Sequence, residues 1–164
     1  MAINWGGLQA QLIAIHNSDN EYNTSQIAQA IEDAYVVAIQ TATESTALNV
    51  VATYTVGGLK AGIESAMTTA VGTFNQSFDI TLVDSGLIAF WMGATFTPTN
   101  PAAGQATVES ISVLNGGAGT PQTPPIASNS NIAWVNMWIS YFQSHANTVS
   151  GTLIGATSVP APLV

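Results

Sequence analysis

Arginine and cysteine are absent from this chain, and lysine occurs once, as Lys60. Without cysteine there are no disulfides and no thiolate metal sites, and the redox compartment leaves no mark on the sequence. Without clustered Lys and Arg there is no footprint for nucleic-acid phosphates and no cationic patch for anionic lipid. The same shortage removes most sites that hold phosphate or an oxyanion with basic side chains. Long apolar runs are missing too. The most apolar stretch, Leu87 to Phe96, is far shorter than the roughly 20 residues a membrane helix needs, so no transmembrane span is expected. The opening MAINWGGLQAQL lacks a basic region and a long apolar region, so no secretory signal is expected. No GxSxG, P-loop, strand-linked GxGxxG or HExxH motif occurs.

What is present is apolar and uncharged. Of 164 residues, 47% are hydrophobic and 6% charged, where an average soluble domain carries about 25% charged residues. Nine acids against Lys60 give a net charge of −8. A small monomer ordinarily keeps itself soluble with mixed surface charge. The simplest physical reading is that much of the surface of this chain is covered in an assembly. The length suits one domain over residues 1–164, long enough to bury a real core.

Apolar spacing predicts a mainly α fold of about five helices. Trp5, Leu8, Leu12 and Ile15 mark a helix over 3–15, and HNSDNEYN after it is a polar break. Thr24 and Ser25 suit the N-cap of a helix over 25–44, with Ile27, Ile31, Ala34, Tyr35 and Ala38 on its apolar stripe. A helix over 58–78 carries Leu59, Ile63, Ala66 and Met67, with Lys60 and Glu64 at i,i+4 on its polar face. Asp84 or Ser85 suits the cap of a short helix over 85–96 that is apolar almost all round. The last helix, 131–150, confines its polar residues to one narrow stripe of Asn136, Ser140, Gln143 and Asn147. That leaves apolar residues to spare for a second contact. Segments 48–56 and 106–114 read as possible short strands within this frame. Residues 98–130, rich in Pro, Gly, Thr and Asn, read as a long partly extended arm, and 151–164 as an apolar tail.

Chemistry-bearing clusters are weak. His16 with Asp19 and Glu21 is the best set of ligand types, but the glycine turn and late glutamate of a calcium loop are not in place. A solvated turn is the plainer reading. His145 has no acid after Glu109 to orient it in sequence, so a packed or interface histidine is expected rather than a catalytic base. Glu32 and Asp33 are adjacent on a helix and therefore point to different sides, which excludes a carboxylate dyad. Asn23-Thr24-Ser25 and Asn75-Gln76-Ser77 match the glycosylation tripeptide, a pattern without meaning outside a secretory route. No catalytic residue, cofactor or metal site is expected.

The segments MAINWGGL, IAQAIEDAYVVAI, GLKAGIESAMTTAVGTFNQSF, SGLIAFWMGATFTPTNPA and WVNMWISYFQSHANTVSGTLIGATSVPAP carry a family likeness. In order and texture they resemble small virion structural proteins of tailed bacteriophages, marine and T4-like ones in particular; residues 46–57 do not share the likeness. The resemblance implies a non-enzymatic virion component at the neck, tail or head surface, assembled in the host cytoplasm. Its expected partners are copies of itself and other virion proteins, with no nucleic acid, membrane or small-molecule substrate. Expected interface residues are Trp134, Trp138, Tyr141, Phe142, Phe90, Trp91, Pro160 and Pro162, because aromatics are enriched in subunit contacts. An extracellular carbohydrate- or receptor-binding module using the same aromatics is the alternative. Apart from Glu109, every charged side chain precedes residue 85, so the first half is expected to meet water and the second to be covered.

Overall fold

A computed structural model describes residues 3–18, 23–43, 50–72, 79–97, 106–111, 131–146 and 149–153. Residues 73–78 of the expected third helix, the expected Pro160 and Pro162, and the arm apart from 106–111 lie outside these residues. The order is α1 (Trp5–Asn17), α2 (Thr24–Ile39), β1 (Val50–Thr53), α3 (Gly58–Gly72), α4 (Ile80–Trp91), β2 (Thr95–Thr97), β3 (Ala106–Ile111), α5 (Asn131–Ala146) and β4 (Val149–Leu153). The mainly helical fold is as the periodicity predicts, with five helices among the described residues.

Caps explain where the helices start. Asn4 Oδ1 accepts from Gly7 N at 2.9 Å and opens α1. Asn23, not Thr24 or Ser25, caps α2, because a reciprocal box forms: Gln26 N donates to Asn23 Oδ1 and Asn23 N donates to Gln26 Oε1, both at 3.0 Å. Asp79 caps α4 by accepting from Thr81 N at 3.0 Å. The helix therefore begins five residues before the expected start, and Asp84 lies inside it rather than at its cap. At the other end of α2, Val51 N donates to Ala42 O at 3.2 Å and Thr43 bridges Val50. Residues 42–43 are thus drawn to β1, and the helix stops short of the expected residue 44.

Four strands form one antiparallel sheet in the order β1-β2-β3-β4. The segments 48–56 and 106–114 each contain a strand, as expected. Thr95–Thr97 and Val149–Leu153, expected as helix or tail, are also strands. Val51 pairs with Phe96 across β1 and β2, and both turn toward the helical core. Thr53 and Thr95 hydroxyls meet at 2.7 Å on the next rung.

The helices bury one continuous cluster that includes Leu8, Leu12, Ile31, Tyr35, Ile39, Ile63, Leu87, Phe90, Trp91, Trp138 and Phe142. Each fully buried side chain of this size contributes about 1.5–3 kcal/mol. Tyr35 is the hub. Its ring stacks on Phe142 with centroids 4.4 Å apart, meets Phe90 edge-on at 5.6 Å, and its hydroxyl accepts from Trp91 Nε1 at 3.2 Å.

Between α3 and α4 the packing surface is glycine. A Cβ on Gly86 would fall 2.8 Å from Gly62 Cα, and one on Gly58 would fall 2.7 Å from Phe90 N. A Cβ on Gly62 would strike the Leu82 carbonyl oxygen. The two backbones therefore touch, and no larger residue fits at the crossing.

Candidate functional site

Helical spacing makes a buried cluster of reactive groups. On α5, Tyr141 and His145 stand at i,i+4 and share a face. On α4, Asp84 follows Ile80 by one turn and precedes Leu87 on the buried arc, so its carboxyl group enters the core. Asp84, Tyr141 and His145 are 6%, 8% and 4% exposed. Tyr141 Oη donates to Asp84 Oδ1 at 2.8 Å, and His145 Nε2 lies 3.3 Å from the same oxygen. His145 Nδ1 faces the Tyr141 carbonyl oxygen at 2.7 Å.

The charge states follow from these partners. Burial works to lower the His145 pKa, but the Asp84 carboxylate and the hydrogen bond to the Tyr141 carbonyl outweigh it and raise the value. Burial, then the charge and hydrogen bond of Asp84, push the Tyr141 phenol far above its ordinary range, so it stays a donor. Tyr35 is pushed up by burial as well, against the opposing hydrogen bond from Trp91.

Ser144, His145 and Asp84 superficially match a nucleophile, base and orienting acid. The geometry argues against that use. Nδ1 carries a proton because a carbonyl oxygen only accepts, so it has no lone pair for the Ser144 hydroxyl 3.1 Å away. Ser144 Oγ donates instead to the Tyr141 carbonyl at 2.8 Å. The arrangement is a polar tie between α4 and α5.

Glu32 is the second buried acid, with no exposed surface. Its two oxygens accept from Gly57 N and Lys60 N, each at 2.6 Å, and so cap α3 from a different helix. Gly57 adopts φ 90°, a left-handed turn that suits glycine and aims its N–H at the carboxylate. This corrects the expectation that the acids of the first half meet water: Glu32 and Asp84 do not. Asp33 does, and it accepts from Gln29 Nε2 at 2.8 Å, so the adjacent acids indeed point to different sides. Glu64, placed one turn from Lys60, accepts from Ser25 Oγ at 3.1 Å.

The aromatics expected at an interface are mostly core. Phe90, Trp91, Trp138, Tyr141 and Phe142 are buried within the chain, so their rings are not available to a neighbouring subunit or a sugar. Their partners are each other: Trp138 stacks on Phe142 at 5.7 Å, and Trp91 on Phe96 at 6.3 Å. The last helix packs along α1, stacks Phe142 on Tyr35 of α2 and joins Tyr141 to Asp84 of α4, while Met137 and Ile139 are half-buried. Trp134 is half-buried, 5.4 Å from the His16 ring on α1. His16 Nδ1 is buried without a hydrogen-bond partner among the described residues. Asp19 and Glu21 lie outside them.

Asn136, Ser140 and Gln143 are exposed, so the polar stripe is where the spacing puts it. A shallow surface depression runs along α3 beside Ala61, Glu64, Ser65, Thr68 and Thr69. Among the described residues no group of three or more His, Cys, Asp or Glu could hold a metal ion, and no helix is long and apolar enough to cross a membrane. Comparison with protein-family profiles, curated proteins and solved structures finds no match.

Proposed function

We propose that this chain is a non-enzymatic structural protein of a tailed-phage virion that assembles through uncharged surface with copies of itself. One observation carries the reading. The chain has ten charged side chains, nine acidic and one basic, and folding removes Glu32 and Asp84 from the surface. Among the described side chains Asp33 is the one exposed ion, while Lys60, Glu64 and Asp79 are half-buried. A free monomer ordinarily intersperses many more ions of both signs over its surface. Uncharged Ser, Thr, Asn and Gln hydrogen-bond across a contact without the desolvation cost of ions.

The contacting surface differs from the one expected. With the large aromatics in the core, it consists of exposed apolar residues such as Val56, Met92, Val37 and Ile13 among uncharged polar ones. Virion placement rests on the likeness of segments to phage structural proteins. The carbohydrate- or receptor-binding alternative needs open aromatic faces, and the rings named for it are mostly covered.

Sedimentation velocity over a concentration series tests the assembly half of the reading. A species several times the 16.9 kDa chain mass is expected; a monomer at every concentration refutes it. The genes beside this one test the virion half, since portal, sheath or capsid genes are expected there.

A further inference from the structure

The surroundings of His145 set a condition that a neutral imidazole does not meet. Nδ1 faces a carbonyl oxygen at 2.7 Å and Nε2 faces a carboxylate oxygen at 3.3 Å. Both neighbours are acceptors, and an imidazolium offers a proton to each of them. A neutral imidazole has one N–H. In either tautomer one lone pair then points at an acceptor inside a site that is 4% exposed, where water does little to compensate.

The position of this pair gives the condition a mechanical consequence. α5 runs closely along α1, but its ties to Asp84 of α4 are the side chains of Tyr141 and His145. β4 begins three residues after the end of α5 and pairs with β3. The α3–α4 crossing, in contrast, brings backbone against backbone at Gly58, Gly62 and Gly86.

We infer that the Asp84–His145 pair is a proton-operated latch: the imidazolium holds α5, with β4 behind it, against α4, and loss of its proton releases that seam while α3 and α4 stay packed. Among the described residues, three titratable side chains bear on it. Asp84 faces it from α4 and Tyr141 from α5 itself. Tyr35 of α2 lies one layer further off, behind Tyr141 and Phe142. From α1, His16 meets α5 at Trp134, about three turns away from His145. Both tyrosines stay neutral across the range in which an imidazole titrates, so neither contributes a moving proton to the switch.

Histidine ring NMR and amide hydrogen exchange on the full chain, from about pH 6 to about pH 9, test the latch. With exchange corrected for its intrinsic pH dependence, α5 and β4 are expected to lose about tenfold in protection as the His145 ring titrates, and α3 and α4 to keep theirs. The midpoint should lie above about 6.5, the value of an unperturbed histidine. Asp84→Asn should lower that midpoint and flatten the exchange profile. His145→Gln, which has no proton to lose, should flatten it as well and serves if Asp84→Asn does not fold. A midpoint at or below the unperturbed value overturns the latch. So does unchanged protection of α5 across the titration, or an undiminished pH response in His145→Gln.

Discussion

Glu32 and Lys60 meet through the backbone and not through opposite charges: Glu32 Oε2 accepts the Lys60 main-chain N–H at 2.6 Å. The carboxylate is directed at the first turn of α3, where unpaired N–H groups and the positive end of the helix dipole favour an anion. The single lysine of the chain is thus held in place by its peptide group.

Removing that cap should be costly. Glu32→Ala leaves the Gly57 and Lys60 N–H groups without their buried acceptor and should destabilise the fold by about 2–4 kcal/mol. Glu32→Gln keeps one acceptor oxygen and should recover about half of this. Urea unfolding of both variants measures it; a loss under about 0.5 kcal/mol for Glu32→Ala would mean the cap is not structural.

The helix crossing makes a sharper contrast between two glycines. Gly62→Ala forces α3 and α4 apart and should cost about 1–3 kcal/mol or more. Gly6→Ala, on the exposed face of α1 with open space around it, should be neutral or stabilising by up to about 1 kcal/mol. Equal thermal midpoints for the two variants would show that the close crossing is wrong.

Tyr35→Phe keeps the stacking on Phe142 and Phe90 but removes the acceptor of the Trp91 indole N–H. A loss of about 1–2 kcal/mol is expected, with a shift of the Trp91 side-chain resonance. Phe142→Ala, which empties the centre of the ring cluster, should cost about 3–5 kcal/mol. If Tyr35→Phe proved the worse of the two, the hydrogen bond and not the packing would dominate this core.

Global stability should depend on pH with a definite sign. The folded His145 has a raised pKa, so it binds its proton more tightly than the unfolded chain does. Its contribution is complete below about pH 6.5 and is lost as pH rises through the folded value. Denaturant midpoints taken across that window should therefore fall on the alkaline side, and His145→Gln should remove this part of the slope.

Val56 and Met92 are 69% and 53% exposed and sit on two turns joined by the Thr55 N–H donating to Phe90 O at 2.8 Å. Charging them in Val56→Lys and Met92→Lys should change stability by no more than about 0.5 kcal/mol. Association, read by sedimentation, should weaken. Unaltered association in the double variant would move the assembly surface elsewhere on the chain.

Much of the fold was legible because it is periodic. Leu8 and Leu12, Ile31 and Tyr35, Leu59 and Ile63 recur at helical intervals and become the buried faces of α1, α2 and α3. The start of α4 also has a sequence signal: Asp79 followed by Ile80, Val83 and Leu87 spells a cap and a stripe five residues before the expected start. β2 and β4 had little signal, since a three-residue and a five-residue strand are specified by the strands beside them.

The sequence alone determined the helical class, the polar stripe of α5 and the shortage of cations. Those properties are local or compositional, and no folding is needed to count them. Tertiary structure decided which acids lose their water, where the aromatics go and what His145 meets. Tyr141 and Asp84 are 57 residues apart along the chain, and only the packing of α5 against α4 brings them to 2.8 Å. The same packing turned the aromatic surplus of α5 inward. An apolar face is covered by whatever element the fold places over it, and spacing along one helix carries no information about that neighbour.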